Sequence, residues 1–121
     1  MSYPVELRDS LFPDCPIRNI LSRISDKWSL LVLHSLSVSG QAMRFSSLQK
    51  ALPDISQKVL SSTLKHLVED GLITRTVFAE VPPHVEYGMS ERGLSFMQVF
   101  NPVIQWAIDN FEEIVRERNE L

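Results

Sequence analysis

Long apolar runs are what this sequence most plainly lacks. Charged residues interrupt every window long enough to cross a bilayer, which excludes a membrane-spanning helix. Cysteine is almost absent: Cys15 stands alone, so no disulfide can form within the chain and a reducing compartment, the cytoplasm, is expected. Residues 1–15 carry Glu6, Arg8, Asp9 and Asp14 and have no apolar stretch of signal-peptide length. The histidines His34, His66 and His84 show no metal-ligand spacing and the lone thiol has no thiolate partner, so neither a metal nor a cofactor is expected. Positive charge is also in deficit. A net charge of -3 argues at first against a nucleic-acid partner, whose phosphates demand a basic surface.

The distribution of charge matters more than its sum. Between residues 15 and 75 stand Arg18, Arg23, Lys27, Arg44, Lys50, Lys58, Lys65 and Arg75, against only Asp26, Asp54, Glu69 and Asp70, a local +4. From residue 101 onward Asp109, Glu112, Glu113, Glu117 and Glu120 outweigh Arg116 and Arg118, a local -3. The middle of the chain is basic and its ends are acidic. At 121 residues, with 44% hydrophobic and 22% charged content, the chain is sized for one globular core.

Pro16 suits a first helical position, and Ile17, Ile20, Leu21 and Ile24 follow at one-faced helical spacing. Ser25 or Asp26 can cap the next helix. There Trp28, Leu30, Leu31, Val32, Leu33 and Leu36 leave almost no polar side before Gly40, so it is expected at the centre of the core. Met43, Arg44 and Phe45 make at most a short strand. Ser46 with Gln49 forms a capping-box pattern opening a short helix that Pro53 stops. Ser56 caps a further helix with Leu60, Leu64, Leu67 and Val68 on one face, ended by Asp70-Gly71. Two short helices joined through Pro53, Asp54 and Ile55 are a helix-turn-helix arrangement.

After Gly71 the period changes to that of strands, predicting one from Ile73 to about Val81 and a return from His84 to Met89 around Pro82-Pro83. A hairpin directly after a helix-turn-helix is the winged-helix order. The fold class is thus mainly α with a small β-hairpin, an α+β winged-helix domain over 15–121 after an N-terminal extension, 1–14. Ser90 caps the last segment, in which Leu94, Met97 and Phe100 precede a kink or break at Asn101-Pro102. Beyond it Ile104, Ala107, Ile108, Phe111 and Val115 make one apolar face, and Val103 and Trp106 add a second. A mostly helical stretch over about 90–118 is roughly 40 Å long, more than so small a domain can cover. A symmetric homodimer is the commonest solution to such excess apolar surface.

With Leu60, Leu64 and Leu67 turned inward, a step of about 100° per residue points Lys58, Ser62, Lys65 and His66 outward, with Ser61 at the flank and Gln57 at the N-terminal end. Gln57, Ser61 and Ser62 are suited to base edges in the major groove of double-stranded DNA. Arg44, Ser46, Lys58, Lys65 and Arg75 are the candidates for phosphates.

The segments "CPIRNILSRISDKWSLLVLHSL", "RFSSLQKALPDISQKVLSSTLKHLVEDGLITR" and "EVPPHVEY" resemble the signature of HxlR-type transcriptional regulators, winged-helix proteins related to the MarR group. The resemblance implies a homodimer built from the N-terminal and C-terminal helices, with Ile17, Ile20, Leu21, Ile104, Ile108, Phe111 and Val115 as its interface. It also implies that the fourth helix enters the major groove and that the hairpin is the wing. Ser25 stands where the family often has glycine, and Gln41-Ala42-Met43 replaces a Gly-Pro type of lead-in. His84, the remaining DNA-contact candidate, follows the prolines where lysine or arginine is usual.

Some members of that family sense oxidants or electrophiles through a cysteine at the position of Cys15. A helix start favours a thiolate and neighbouring Asp14 opposes it. Without a second cysteine, a response requires an intersubunit disulfide, a mixed disulfide or an adduct. The alternatives are an inert small residue at Cys15, a small-molecule effector bordered by Trp28, Phe45 or Trp106, and a winged helix that binds protein. An enzyme pairing Cys15 with a histidine base has no supporting local motif.

Overall fold

The computed structural model describes residues 15–121. The expected extension, 1–14, lies outside the described residues. A π-helical turn, Ile17–Leu21, runs directly into an α-helical one, Ser22–Ile24, and the two together form α1. There follow α2 (Lys27–Ser39), β1 (Met43–Arg44), α3 (Phe45–Ala51), α4 (Gln57–Glu69), β2 (Ile73–Phe78), β3 (His84–Met89) and α5 (Glu91–Asn119).

Three helix starts follow the local chemistry of their caps. Asp26 accepts from the Ser29 N–H, Ser56 from Val59 and Ser90 from Gly93, each satisfying a donor that helix geometry leaves without an intrahelical partner. The end of α4 is a Schellman motif: Leu72 N–H reaches Leu67 O and Gly71 N–H reaches Val68 O, with Gly71 at φ +77°. A side chain at Gly71 would be strained and would also run into the Arg92 guanidinium. Gly93 is required for a different reason, since a Cβ there would collide with the Leu72 carbonyl where α5 starts against the end of α4.

The core is formed by the inner faces of α2, α3 and α4, with Val32, Leu33, Leu48, Leu60, Leu64 and Leu67 fully buried. Helix α2 is central as expected, although Leu31 and Val38 emerge on its outer side. In α1 the apolar spacing buries only Ile24; Ile17 and Ile20 remain more than half exposed.

The expected short strand at Met43 joins the hairpin, and three other expectations need correction. The hairpin is the larger part of a three-stranded antiparallel sheet of order β1-β3-β2, because Met43 and Arg44 pair with Tyr87 and Glu86. That pairing also removes the Ser46 capping box. Arg44, still extended in the ladder, is itself the N-cap residue of α3 and makes no side-chain cap, so Ser46 falls inside the first turn. Strand β2 stops at Phe78 instead of Val81, since Phe78 and His84 are the closing pair and the Glu80 N–H turns back to Phe78 O. The Val81-Pro82 peptide in the connecting loop is cis.

The third correction concerns the break allowed at Pro102, which does not occur: α5 runs for 29 residues, about 43 Å at 1.5 Å per residue. The proline removes the donor to the Gln98 carbonyl, and both residues are on the exposed side of α5. Stacked Phe96 and Phe100, with centroids 5.4 Å apart, brace the turns before it.

Candidate nucleic-acid interface

Helix α4 is presented by its inner leucines. Leu60, Leu64 and Leu67 lock one side into the core, and buried Ile55 anchors the turn from α3. The opposite side therefore faces outward as a unit. Gln57, Lys58, Ser61, Ser62, Lys65 and His66 are all exposed, as the helical period predicts. Lys58 and Lys65 are two turns apart, about 10 Å along the axis. Arg44 and Ser46 are exposed at the β1–α3 junction, and Arg75 is exposed on β2 across from Tyr87. Among the described residues, Arg44, Lys58, Lys65 and Arg75 take part in no ion pair and no side-chain hydrogen bond. No described side chain neutralises their charge through an ion pair.

The wing tip is built otherwise. His84 stacks on Phe78, with ring centroids 4.6 Å apart and planes within 12°. Its Nδ1 is 3.2 Å from Glu80 and its Nε2 is 3.0 Å from Glu86. A neutral imidazole can donate from one nitrogen only; both carboxylates are satisfied together when the ring carries both protons. The structure thus turns His84 into an internal clamp and places two acids around it. Neither the Phe78 stack nor the Glu80–His84–Glu86 set was apparent from the sequence, although the i,i+2 spacing of His84 and Glu86 on one strand face is a signal that could have suggested part of it.

The third feature is a junction at the end of α4. Arg23 Nε on α1 donates to Asp70 Oδ2 at 2.7 Å, and its Nη2 lies 3.4 Å from Glu69. Asp70, with Glu69 behind it, keeps the Arg23 guanidinium charged more firmly than usual, the hydrogen bond to Asp70 being the main cause. From α5, Arg92 donates to the Asp70 carbonyl at 3.0 Å, and Ser90 Oγ donates to the Gly71 carbonyl. The C-terminus of α4 is therefore tied to both α1 and α5.

This arrangement, an outward basic helix held on leucines and followed by a three-stranded wing, is matched by sequence over residues 23–115 to the HxlR-like helix-turn-helix family. The chain belongs to that family. A helix-turn-helix transcriptional regulator of Methanothermobacter thermautotrophicus is 38% identical over 93 residues, covering 77% of this chain and 70% of that protein. The structure of the regulator YtfH from Salmonella typhimurium superposes with a TM-score of 0.76 at 30% identity, covering 87% of this chain and 92% of that one. The redox regulator HypR in its reduced form superposes at 0.75 with 27% identity, covering 84% and 98%. As an HxlR-family helix-turn-helix protein the chain is a transcriptional regulator, not an enzyme.

The remaining candidates fall in separate places. Ile17, Ile20, Leu21, Ile108 and Phe111 are exposed, as an interface between copies requires; Ile104 packs partly against the core of its own chain and Val115 is half-buried. Cys15 is buried at the start of α1. Trp28 and Phe45 pack against the core, with Lys27 Nζ 4.4 Å from the Trp28 ring centroid, while Trp106 is exposed. Among the described residues no helix is long and apolar enough to cross a membrane.

Proposed function

We propose that this HxlR-family regulator acts in the cytoplasm as a homodimer that binds a pseudo-palindromic operator in duplex DNA. Helix α4 of each protomer enters the major groove, and the two helices lie about one DNA turn apart. Gln57, Ser61 and Ser62 read base edges; Lys58, Lys65, Arg44, Ser46 and Arg75 hold phosphates. The observation that carries this reading is the outer face of α4, whose lysines are unpaired within the chain and flanked by two unpaired arginines. The exposed apolar residues of α1 and of the C-terminal half of α5 form the dimer interface in this reading.

Selection of bound sequences from random duplex DNA tests the reading, combined with a salt titration on the selected site. Binding should weaken linearly in log–log form through counterion release. A salt-insensitive protein that selects no sequence would instead fit a winged helix whose partner is another protein.

The effector side of the proposal rests on Cys15 and on the likeness to the redox regulator HypR. The Cys15 thiol is buried, so a redox agent has to gain access to it before it can react. Operator affinity of wild type and Cys15→Ser, each with and without the redox agent, decides between a thiol response and an effector that acts without it. An unchanged response in the mutant removes Cys15 from the function.

A further inference from the structure

Helix α4 ends in an electrostatic conflict. Glu69 and Asp70 stand at its C-terminus, where the helix dipole already presents negative charge, and the last turn of α4 itself supplies no permanent cation. The compensating charges come from elsewhere in the chain. Arg23 engages both acids from α1, and Arg92 engages the Asp70 carbonyl from α5. The backbone of Arg23 is held in turn, since the hydroxyl of buried Ser29 donates to its carbonyl at 3.3 Å. Arg23 sits one turn beyond Ile20 and two residues beyond Leu21, on the short helix that buries Ile24 but leaves Ile17, Ile20 and Leu21 exposed. The same guanidinium that ends the recognition helix therefore belongs to an element with an unpartnered apolar face.

We propose that Arg23 is a positioning residue for operator recognition: by clasping Asp70 it fixes the tilt of α4 against the dimer-forming face of α1 and so sets the half-site spacing that the dimer accepts. The inference rests on the homodimeric DNA-binding reading above. Its physical basis is geometric. In a two-fold dimer any change in the angle between α4 and the interface is applied twice, once in each protomer, and alters the separation and relative orientation of the two reading heads. A shift of one base pair asks for about 3.4 Å of travel and roughly a tenth of a turn. The Arg23–Asp70 contact, bridging positions 47 apart in sequence, restrains that movement.

The test uses the full chain and duplexes carrying the site that wild type selects from random DNA: one with a single half-site, one with the selected spacing, and two with one base pair added or removed. Arg23→Gln and Asp70→Asn should each bind the single half-site as wild type does. Each should lose up to about fivefold of the wild-type preference for the selected spacing, the range expected for a partly exposed ion pair. Because the Asp70 carboxylate acts through Arg23, which also holds Glu69, the double variant should lose no more than Arg23→Gln alone. Asp70→Asn leaves the backbone carbonyl available to Arg92 and carries the test if Arg23→Gln does not fold. Wild-type spacing profiles in the single variants, or losses that add in the double variant, would overturn the proposal. A wild-type protein with no spacing preference at all would instead overturn the homodimeric reading on which it stands.

Discussion

The outer face of α4 and the tip of the wing are both polar, yet they use charge in opposite ways. Lys58 and Lys65 stand on α4 with no internal partner, and their positive charge is directed outward. His84 on the wing is stacked on Phe78 and bracketed by Glu80 and Glu86, so whatever charge it carries is met within the hairpin. A phosphate approaching α4 finds unneutralised cations; one approaching the wing tip finds two carboxylates around a ring that is already occupied. Position next to the helix-turn-helix does not by itself make a surface suited to DNA. The partners that the chain supplies to each charge decide it.

That contrast can be broken at its foundation by removing the scaffold of α4. Leu64 is 1% exposed, and Leu64→Ala should cost about 2–5 kcal/mol in urea or thermal unfolding, whereas Val77→Ala on the wing, where Val77 is 56% exposed, should cost less than about 0.5 kcal/mol. Equal losses would mean that the wing is as firmly packed as the helix. Next in size is base reading. Gln57→Ala should cost about 1–3 kcal/mol on the selected operator and relax preference at one base position, scored by repeating the selection with the variant. Lys65→Ala should weaken binding to all sequences and reduce the slope of log affinity against log salt by about 0.9. Retention of wild-type affinity by both α4 variants would sink the docking arrangement.

The smallest effect is expected at the wing. His84→Ala should change operator affinity by less than about twofold, since the ring's contacts are internal. His84→Lys should raise it modestly by adding a cation able to reach beyond Glu80 and Glu86. A large loss on His84→Ala, measured by the same titration, would show that the clamp orders a wing that DNA needs.

Much of the candidate surface on α4 was legible in the sequence. The caps Asp26, Ser56 and Ser90, the stop at Asp70-Gly71 and the inward leucines of α4 follow from periodicity and capping chemistry, which act within a few residues. Periodicity therefore also predicted which α4 side chains would be exposed. It misread Ser46, because a competing long-range pairing of Arg44 with Glu86 changed where α3 begins. It overstated Pro102, because the cost of one missing hydrogen bond on an exposed side is small against a long helix with packed neighbours on the other. And it could not supply the partners of His84, because Phe78 and Glu80 reach the ring only once the hairpin has closed.

The sequence by itself determined the order of helices and strands, the winged-helix arrangement and the polarity of each face, since all of these are written in spacings shorter than two helical turns. Tertiary structure alone decided which charges meet. Arg23 finds Asp70 across 47 positions, Arg92 reaches the carbonyl beside it, and Glu80 closes on His84 from the far side of the hairpin loop. Coulombic and hydrogen-bond contacts act over a few ångströms of space, and no local period records which distant residues folding will bring within that range.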